Sequence, residues 1–234
     1  PPLVVASGRA RRRRAGSVAA AGLLLATAGV AWALYVDSAG VPGNQFTAGC
    51  WDARISGVQK GTATSATLGA QTVTISAVDT ATSFMTFTVR STGNEPEDSR
   101  VLGSLASSTT LTFQRNGNAV TPPTITIEWS VVTYACGVTV QRGTAAQNGT
   151  TTINVALSAV DTTSSFVLGT SVADGSALSY GGNDLVAYEL TSSTNLRIST
   201  DTEAAVGTAA FGWQVITFDD PGDIDVQTVS ATLG

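Results

Sequence analysis

The chain of 234 residues is poor in charged side chains (12%) and contains no histidine, which removes the His-pair zinc motif and the histidine-dependent catalytic triads. Five of its 12 basic residues lie within positions 9–14, so the remainder carries seven basic residues against 17 acidic ones. Such an acidic body repels phosphate backbones, and nucleic acid is therefore excluded as the expected partner.

The N-terminal 33 residues have the composition of an export signal. An arginine-rich head precedes an uncharged run at positions 15–36, in which Ala31 and Ala33 flank Trp32 as an A-x-A cleavage signature. We therefore expect cleavage here and a body that is extracellular or on the cell surface. The run is long enough to cross a bilayer. A retained membrane anchor and a pilin-like helix kept in the mature protein therefore remain alternatives, and membrane contact is expected through this segment alone. Because the chain starts with Pro1 rather than Met, its natural N-terminus is expected upstream.

The next segment, residues 31–56, resembles the N-terminal tag of the TasA/camelysin family of secreted bacterial fibre and surface proteins. After the cleavage site the tag has an acid and then an Asn-x-Phe-x-x-Gly-x-x-Asp pattern, which here comprises Asp37, Asn44, Phe46, Gly49 and Asp52. The resemblance implies export, trimming by a signal peptidase, and polymerisation by strand donation, in which one subunit's N-terminal segment completes the next subunit's sheet.

If the mode of that family applies, the donor segment lies within residues 34–53, with Phe46 and Trp51 as candidate plugs. The alternative is that the segment forms the first strand of its own domain. Two features depart from the family: Cys50 falls where a small or polar residue is usual, and no TasA-like body follows Ile55.

A duplicated unit takes the place of that body. Four blocks recur in the same order with nearly constant offsets, at residues 58–63 and 140–145, 76–84 and 158–166, 105–113 and 190–198, and 129–134 and 213–218. A further echo of residues 138–141 at 224–227 is either the first strand of a third repeat or the closing strand of the second.

Each repeat has a β pattern. Alternation of polar and apolar residues at 72–78, 83–89, 124–134 and 211–215 predicts strands, and the connections are rich in Gly, Asn, Asp, Pro and Ser. We predict an all-β fold of two tandem antiparallel β-sandwiches, Ig-like or jelly-roll-like, with about six strands each. The predicted organisation is a signal or anchor helix at residues 1–33, a linker or donor segment at 34–53, and sandwiches at 54–137 and 138–234.

Two pairs of equivalent residues stand out in the repeats. Asp79 and Asp161 each follow a predicted strand within a repeated nine-residue block, so we predict that they set turns, with metal binding as the alternative. Trp129 and Trp213 lie on alternating strands and are predicted to pack in the core. An exposed aromatic platform for carbohydrate is the alternative.

The two cysteines, Cys50 and Cys136, flank the first repeat. Outside the cytoplasm, and with the first and last strands of a sandwich as neighbours, they are predicted to form a disulfide. Closing a loop of this size stabilises a fold by about 4–5 kcal/mol. Two separate buried thiols are the alternative.

No catalytic residue, metal site or cofactor is predicted, because the chain lacks a P-loop, a dinucleotide fingerprint and zinc-ligand spacing. A carboxylate pair for glycoside hydrolysis is not kept between the repeats, since Glu128 has Gly212 as its equivalent. The acidic loops at 94–98 and 219–225 carry oxygen ligands of the kind calcium takes, and solvated turns explain them equally well.

These features predict an exported structural subunit of an extracellular filament or surface layer, not an enzyme, that self-associates into a polymer, with donation of the N-terminal strand as the expected mode. The alternative is a surface-displayed adhesin or carbohydrate-binding module with glycans as its ligands.

Overall fold

The computed structural model describes residues 40–41, 44–45, 52–93, 99–115, 122–146, 149–172, 185–201, 210–220, 222–224 and 226–227. The chain divides into two compact units, Pro1–Gly49 and Cys50–Gly234. In the first unit, β1 (Gly40–Val41) pairs with β2 (Asn44–Gln45) as an antiparallel hairpin. The predicted helix at residues 1–33 lies outside the described residues. Within the described part, no helix has the length and apolar character needed to span a bilayer.

The first sandwich consists of six antiparallel strands in two three-stranded sheets. One sheet has the order β3-β8-β5 and the other the order β4-β7-β6. Alternation along the central strand β8 explains the layering, because Ile125, Ile127 and Val131 are buried whereas Glu128 is exposed. The strands are β3 (Arg54–Ser65), β4 (Gly69–Thr74), β5 (Ser83–Ser91), β6 (Leu102–Ser107), β7 (Thr110–Arg115) and β8 (Ile125–Cys136).

The second sandwich repeats this topology strand for strand. Its sheets have the orders β9-β14-β11 and β10-β13-β12, so each strand occupies the place of its counterpart in the first repeat. The strands are β9 (Val138–Ala146), β10 (Thr152–Ala156), β11 (Ser165–Val172), β12 (Val186–Ser192), β13 (Asn195–Thr200) and β14 (Ala210–Phe218). The predicted all-β fold, with antiparallel sheets and six strands per repeat, is confirmed.

Each sandwich has its own apolar core, in which a tryptophan covers a glycine on the neighbouring strand. Trp129 lies opposite Gly61, and a Cβ on that glycine would lie 2.6 Å from Cζ2 of the indole. Trp213 covers Gly143 with the same geometry. The interpretation of both tryptophans as core residues is confirmed, because Trp129 belongs to the first core and Trp213 packs, half-buried, against the second. Among the described residues neither indole N–H has a hydrogen-bond partner, so van der Waals packing of the ring on the glycine stabilises each pair.

The repeated aspartates both set turns. The carboxylate of Asp79 accepts a hydrogen bond from the amide of Ala81 at 2.9 Å. The carboxylate of Asp161 accepts one from the amide of Thr163 at 2.9 Å and a second from its hydroxyl at 2.7 Å. The hydroxyl and then the amide of Thr163 hold the pKa of Asp161 below its usual range.

The strand before the first of these turns is shorter than the alternation predicts. Strand β4 ends at Thr74, and residues 75–79 belong to no strand. The physical reason is that β4 and β5 belong to different sheets, so the chain must cross between the two layers here. During the crossing, the amides of Ile75 and Val78 donate to the carbonyls of Thr109 and Ser108, both at 2.9 Å.

A glutamine side chain holds each crossing in place. Nε2 of Gln59 donates to the carbonyl of Ser76 at 2.9 Å, and its Oε1 accepts from the amide of Ser76 at 2.8 Å. Gln141 makes the same two bonds, at 2.9 and 2.8 Å, with Ser158 in the second repeat. The duplication therefore preserved a side-chain contact as well as a strand order.

Candidate functional site

The two sandwiches pack against each other through an apolar layer, which we call the repeat junction. Four aromatic rings from both repeats meet in it, with centroids 5.8 to 6.4 Å apart. Three of its residues are buried (Val138, Val140 and Ile216), and the others surround them (Ala53, Phe84, Tyr134, Phe166, Leu168 and Phe218). One sandwich of this chain therefore binds another sandwich of the same chain.

The buried side chain of Gln214, on the central strand β14, extends the junction with two hydrogen bonds. Its Nε2 donates to the carbonyl of Met85 at 2.8 Å, and its Oε1 accepts from the amide of Met85 at 3.0 Å. Met85 lies on β5, an outer strand of its sheet. An outer strand presents backbone groups that a further strand would otherwise bind, so Gln214 satisfies them in place of a strand.

Arg142, opposite Gln214 in the β9–β14 register, makes the adjacent contact. Its Nη2 donates to the backbone carbonyl of Ser83. Desolvation lowers the pKa of Arg142, and the charge of Asp79 opposes this effect. The Nε of Arg142 is buried and has no hydrogen-bond partner among the described residues. A positive charge is thus held at the boundary between the repeats.

Close backbone approach completes the contact on the side of β6. Gly103 and the hydroxyl of Thr170 are joined by hydrogen bonds of 3.3 Å. A Cβ on Gly212 would lie 2.7 Å from that hydroxyl and 3.4 Å from the carbonyl of Gly103, so a side chain there would displace the hydroxyl that bonds to the first repeat. Arg100 adds a bond of 2.7 Å from its Nη2 to Oγ of Ser171.

These contacts define two surfaces. The junction edge of repeat 1 comprises the residues of β5 and the β6 region that contact repeat 2 (Ser83, Met85, Arg100 and Gly103). The junction face of repeat 2 is the outer face of the sheet β9-β14-β11 (Val138, Val140, Arg142, Thr170, Gly212, Gln214 and Ile216).

The equivalent face of repeat 1 is only partly covered: Phe84 and Tyr134 belong to the repeat junction, whereas the positions on β3 do not. Val58 pairs with Val132 on β8 as Val140 pairs with Ile216 on β14, and Ile55 pairs with Tyr134 as Val138 pairs with Phe218. Ile55 and Val58 are 53% and 54% exposed, whereas Val138 and Val140 are 2% and 8% exposed. The β3 part of this face is therefore exposed in repeat 1, whereas its counterpart on β9 is buried in repeat 2.

Two cavities occupy equivalent places beside these faces. A groove of about 400 Å³ lies along the sheet β3-β8-β5 and is lined by Lys60, Thr62, Thr88 and Glu128, among others. A smaller cavity of about 260 Å³ lies between β6 and the second repeat, where Arg142 and Thr144 are the counterparts of Lys60 and Thr62. The polar groove thus recurs, open in repeat 1 and bounded by β6 in repeat 2.

Several predicted site residues lie outside the described residues, namely Ala31, Ala33, Phe46, Cys50 and Trp51. Cleavage, the donor-strand plugs and the disulfide therefore stay predictions. The structure describes Cys136, which pairs with Arg54 in the β3–β8 register, so the first and last strands of the repeat are neighbours.

The acidic loop after β14 bonds to the protein itself in the part that the structure describes. Asp220 accepts from the amide of Gly222 at 2.8 Å, Asp223 accepts from the amide of Ala53 at 2.6 Å, and Asp219 bonds to the hydroxyl of Thr139 at 3.3 Å. No group of three or more His, Cys, Asp or Glu side chains that could hold a metal ion occurs among the described residues. Calcium binding stays a prediction.

Comparison of the chain with protein-family models, with curated proteins and with solved structures finds no match. The resemblance of residues 31–56 to the TasA/camelysin tag therefore stays a prediction, and the repeat junction becomes the main guide to function.

Proposed function

We propose that the protein is an exported structural subunit of an extracellular filament or surface layer, which acts through self-association and not as an enzyme. The observation that carries this proposal is that one sandwich already binds another sandwich of the same chain through the repeat junction. A module that recognises a copy of itself is a suitable unit for an array of copies. The export signal predicted for residues 1–33 supports an extracellular location.

The N-terminal segment supports strand donation as one mode of assembly. Residues 34–53 directly precede β3, an outer strand of its sheet, and Ile55 at its start is exposed. In such a mode, main-chain hydrogen bonds supply affinity, and Phe46 and Trp51 fill pockets of the next subunit. The proposal includes a disulfide between Cys50 and Cys136, and the pairing of Arg54 with Cys136 supports it, because Arg54 follows Cys50 closely in the chain.

Assembly of the secreted chain tests the proposal. We expect electron microscopy to show filaments or sheets, and light scattering to show masses far above one chain. Deletion of residues 34–53 abolishes assembly if donation is the mode, and Cys136→Ser serves as the matched control because the deletion also removes Cys50. Monomers in every preparation, at every concentration and salt tested, would refute the structural role.

The open groove of repeat 1 supports a second candidate, a surface-displayed adhesin or carbohydrate-binding module. Its lining offers hydroxyl, ammonium and carboxylate groups from Thr62, Thr88, Lys60 and Glu128, which suit the hydroxyls of a glycan. A glycan array with the full chain tests this function. Binding that Glu128→Gln weakens at least tenfold, while Thr72→Ala on the opposite sheet leaves it unchanged, would support it. A blank array would refute it.

A further inference from the structure

We infer that two chains associate head to tail: the outer face of the sheet β3-β8-β5 in one copy receives the β11–β12 edge of repeat 2 from another copy. This inference rests on the proposed structural function and names the surfaces through which it acts. Its basis is the repeat junction, in which the outer face of the sheet β9-β14-β11 binds the β5–β6 edge of repeat 1 within one chain.

The receiving face is apolar where the repeat junction is apolar. Ile55 and Val58, each more than half exposed, occupy the positions that Val138 and Val140 fill at the buried face. Val132 is half-buried where its counterpart Ile216 is fully buried. Burying Ile55 and Val58 against a partner would remove their apolar surface from water, which is favourable.

The binding edge is apolar at the matching place. Among the described residues, three large apolar side chains are exposed, namely Ile55, Val58 and Leu185. The first two lie on the receiving face. Leu185 directly precedes β12 and is the counterpart of Arg100, which belongs to the junction edge of repeat 1. All three exposed side chains therefore lie on the two surfaces that this arrangement brings together.

The receiving face keeps some of the polar side chains that make hydrogen bonds at the repeat junction. Lys60 stands where Arg142 stands, and its ammonium can reach the carbonyl of Ser165 as Arg142 reaches that of its counterpart Ser83. Ser130 replaces Gln214 and is too short to make its two backbone bonds. We therefore expect the contact between chains to be weaker than the repeat junction, and to form reversibly with concentration.

The chain after β14 already occupies one part of this edge of repeat 2. The amide of Val226 donates to the carbonyl of Thr163 at 3.0 Å, just as the amide of Val140 donates to the carbonyl of Ala81, the counterpart of Thr163, at 2.8 Å. The backbone around Val226 therefore contacts repeat 2 at the position where the backbone of β9 contacts repeat 1. Ser165, at the start of β11, and Leu185 take no part in this bond. We propose that an incoming chain contacts this part of the edge.

The two surfaces differ from each other, so one contact leaves a free face on one copy and a free edge on the other. A heterologous contact of this kind does not close on itself unless a rotation forms a ring, and it otherwise generates an open filament. In such a contact one chain supplies the face and the other supplies the edge. A substitution in the face and a substitution in the edge therefore affect different partners of the same contact.

Mixing two variants of the full chain tests the arrangement. Val58→Asp damages the face, Leu185→Asp damages the edge, and Thr72→Asp at an exposed position of β4 is the control. We expect the wild type and the control to assemble in sedimentation velocity, and each variant alone to need at least a tenfold higher concentration. An equimolar mixture of the two variants should form a complex of two chains and stop there, since only one intact face and one intact edge remain to meet. Formation of that complex also shows that both variants are folded.

Three outcomes would overturn the inference. If both variants assemble like the wild type while deletion of residues 34–53 prevents assembly, strand donation alone builds the polymer, and the structural function survives without this contact. If Leu185→Asp assembles and Val58→Asp does not, two faces meet symmetrically. If the wild type stays monomeric throughout, the proposed function itself fails.

Discussion

The repeat junction depends on the neutral amide of Gln214, and Gln214→Glu tests this with almost no change of shape. The substitution keeps the acceptor for the amide of Met85 but removes the donor to its carbonyl, at a position where the side chain is 8% exposed. Leaving a buried carbonyl unpaired costs about 1–3 kcal/mol, and burying a carboxylate beside it adds to that cost. We expect a loss of about 2–4 kcal/mol in the free energy of unfolding at pH 8.

The loss should depend on pH in a defined direction. We expect burial, opposed by the charge of Arg142 on the paired strand β9, to raise the pKa of the introduced carboxyl above its unfolded value of about 4.3. The protonated form can donate to the carbonyl of Met85 again, so the stability of the variant is fully present below the unfolded pKa and is lost as the pH rises through the folded pKa. Urea unfolding at pH 5.5 and pH 8 measures the difference, and both values lie clear of the isoelectric point near 4.6.

A matched control exists in the same repeat. Gln141 makes the same two bonds with the backbone of a single residue, Ser158, but at an exposed place. Water can satisfy the groups that Gln141→Glu leaves unpaired, so we expect a loss below about 1 kcal/mol with little pH dependence. Equal losses in the two variants, or a loss at Gln214 that does not change with pH, would refute the reasoning that burial makes the junction amide important.

Two further predictions address the cores and the turns. Gly61→Ala places a methyl group 2.6 Å from the ring of Trp129 and should lower stability by about 1–3 kcal/mol in thermal unfolding. As the control, Gly57→Ala has nothing within 4 Å of the added methyl group and should leave stability unchanged or raise it by up to about 1 kcal/mol. The reverse order would show that the Trp–Gly pairs are not tightly packed. Asp161 should titrate below its usual range in NMR, and Thr163→Val should raise its pKa towards the ordinary value. Because its folded pKa is lowered, the stability it adds is present above the unfolded pKa of about 3.9 and is lost as the pH falls; an unchanged pKa in Thr163→Val would show that the hydroxyl is not the cause.

The strands could be predicted because one face of each sheet is buried in a sandwich. Alternation along β8 reports that burial directly, and the duplication doubles the evidence. Residues 75–78 of the crossing were predicted wrongly as strand, since the polar and apolar residues of this segment also alternate. Periodicity reports which residues are buried, and it does not report whether their backbone bonds belong to a sheet or to a turn between sheets.

The repeat junction was missed for a related reason. On β14, Val215 faces the core and the adjacent Ile216 faces the first repeat, and both are fully buried. Two adjacent buried residues indicate a strand covered on both faces, and this was the available signal. It does not identify the covering surface, however, and Val131-Val132 in repeat 1 has the same pattern although its outer face is only partly covered. Gln214 carries no sequence signal, because its role depends on which strand lies beside it.

One corner of the fold shows why the two repeats hold their neighbours differently. In repeat 1 the ring of Phe87 on β5 covers Gly103 on β6, and in repeat 2 the ring of Tyr188 on β12 covers Gly169 on β11. The ring and the glycine have exchanged strands, so the corner requires the sum of their volumes and not a residue type at either position.

This exchange bears directly on assembly. Gly103 is part of the junction edge, and its small size lets Thr170 and Gly212 approach its backbone. The counterpart of Gly103 in repeat 2 is Tyr188, whose hydroxyl already donates to the carbonyl of Thr170 at 2.7 Å. The edge offered to a second chain therefore lacks the close backbone approach made within the chain. Because dispersion and hydrogen bonding both weaken steeply with separation, we expect the proposed contact with a separate copy to be reversible, in contrast to the contact between covalent neighbours.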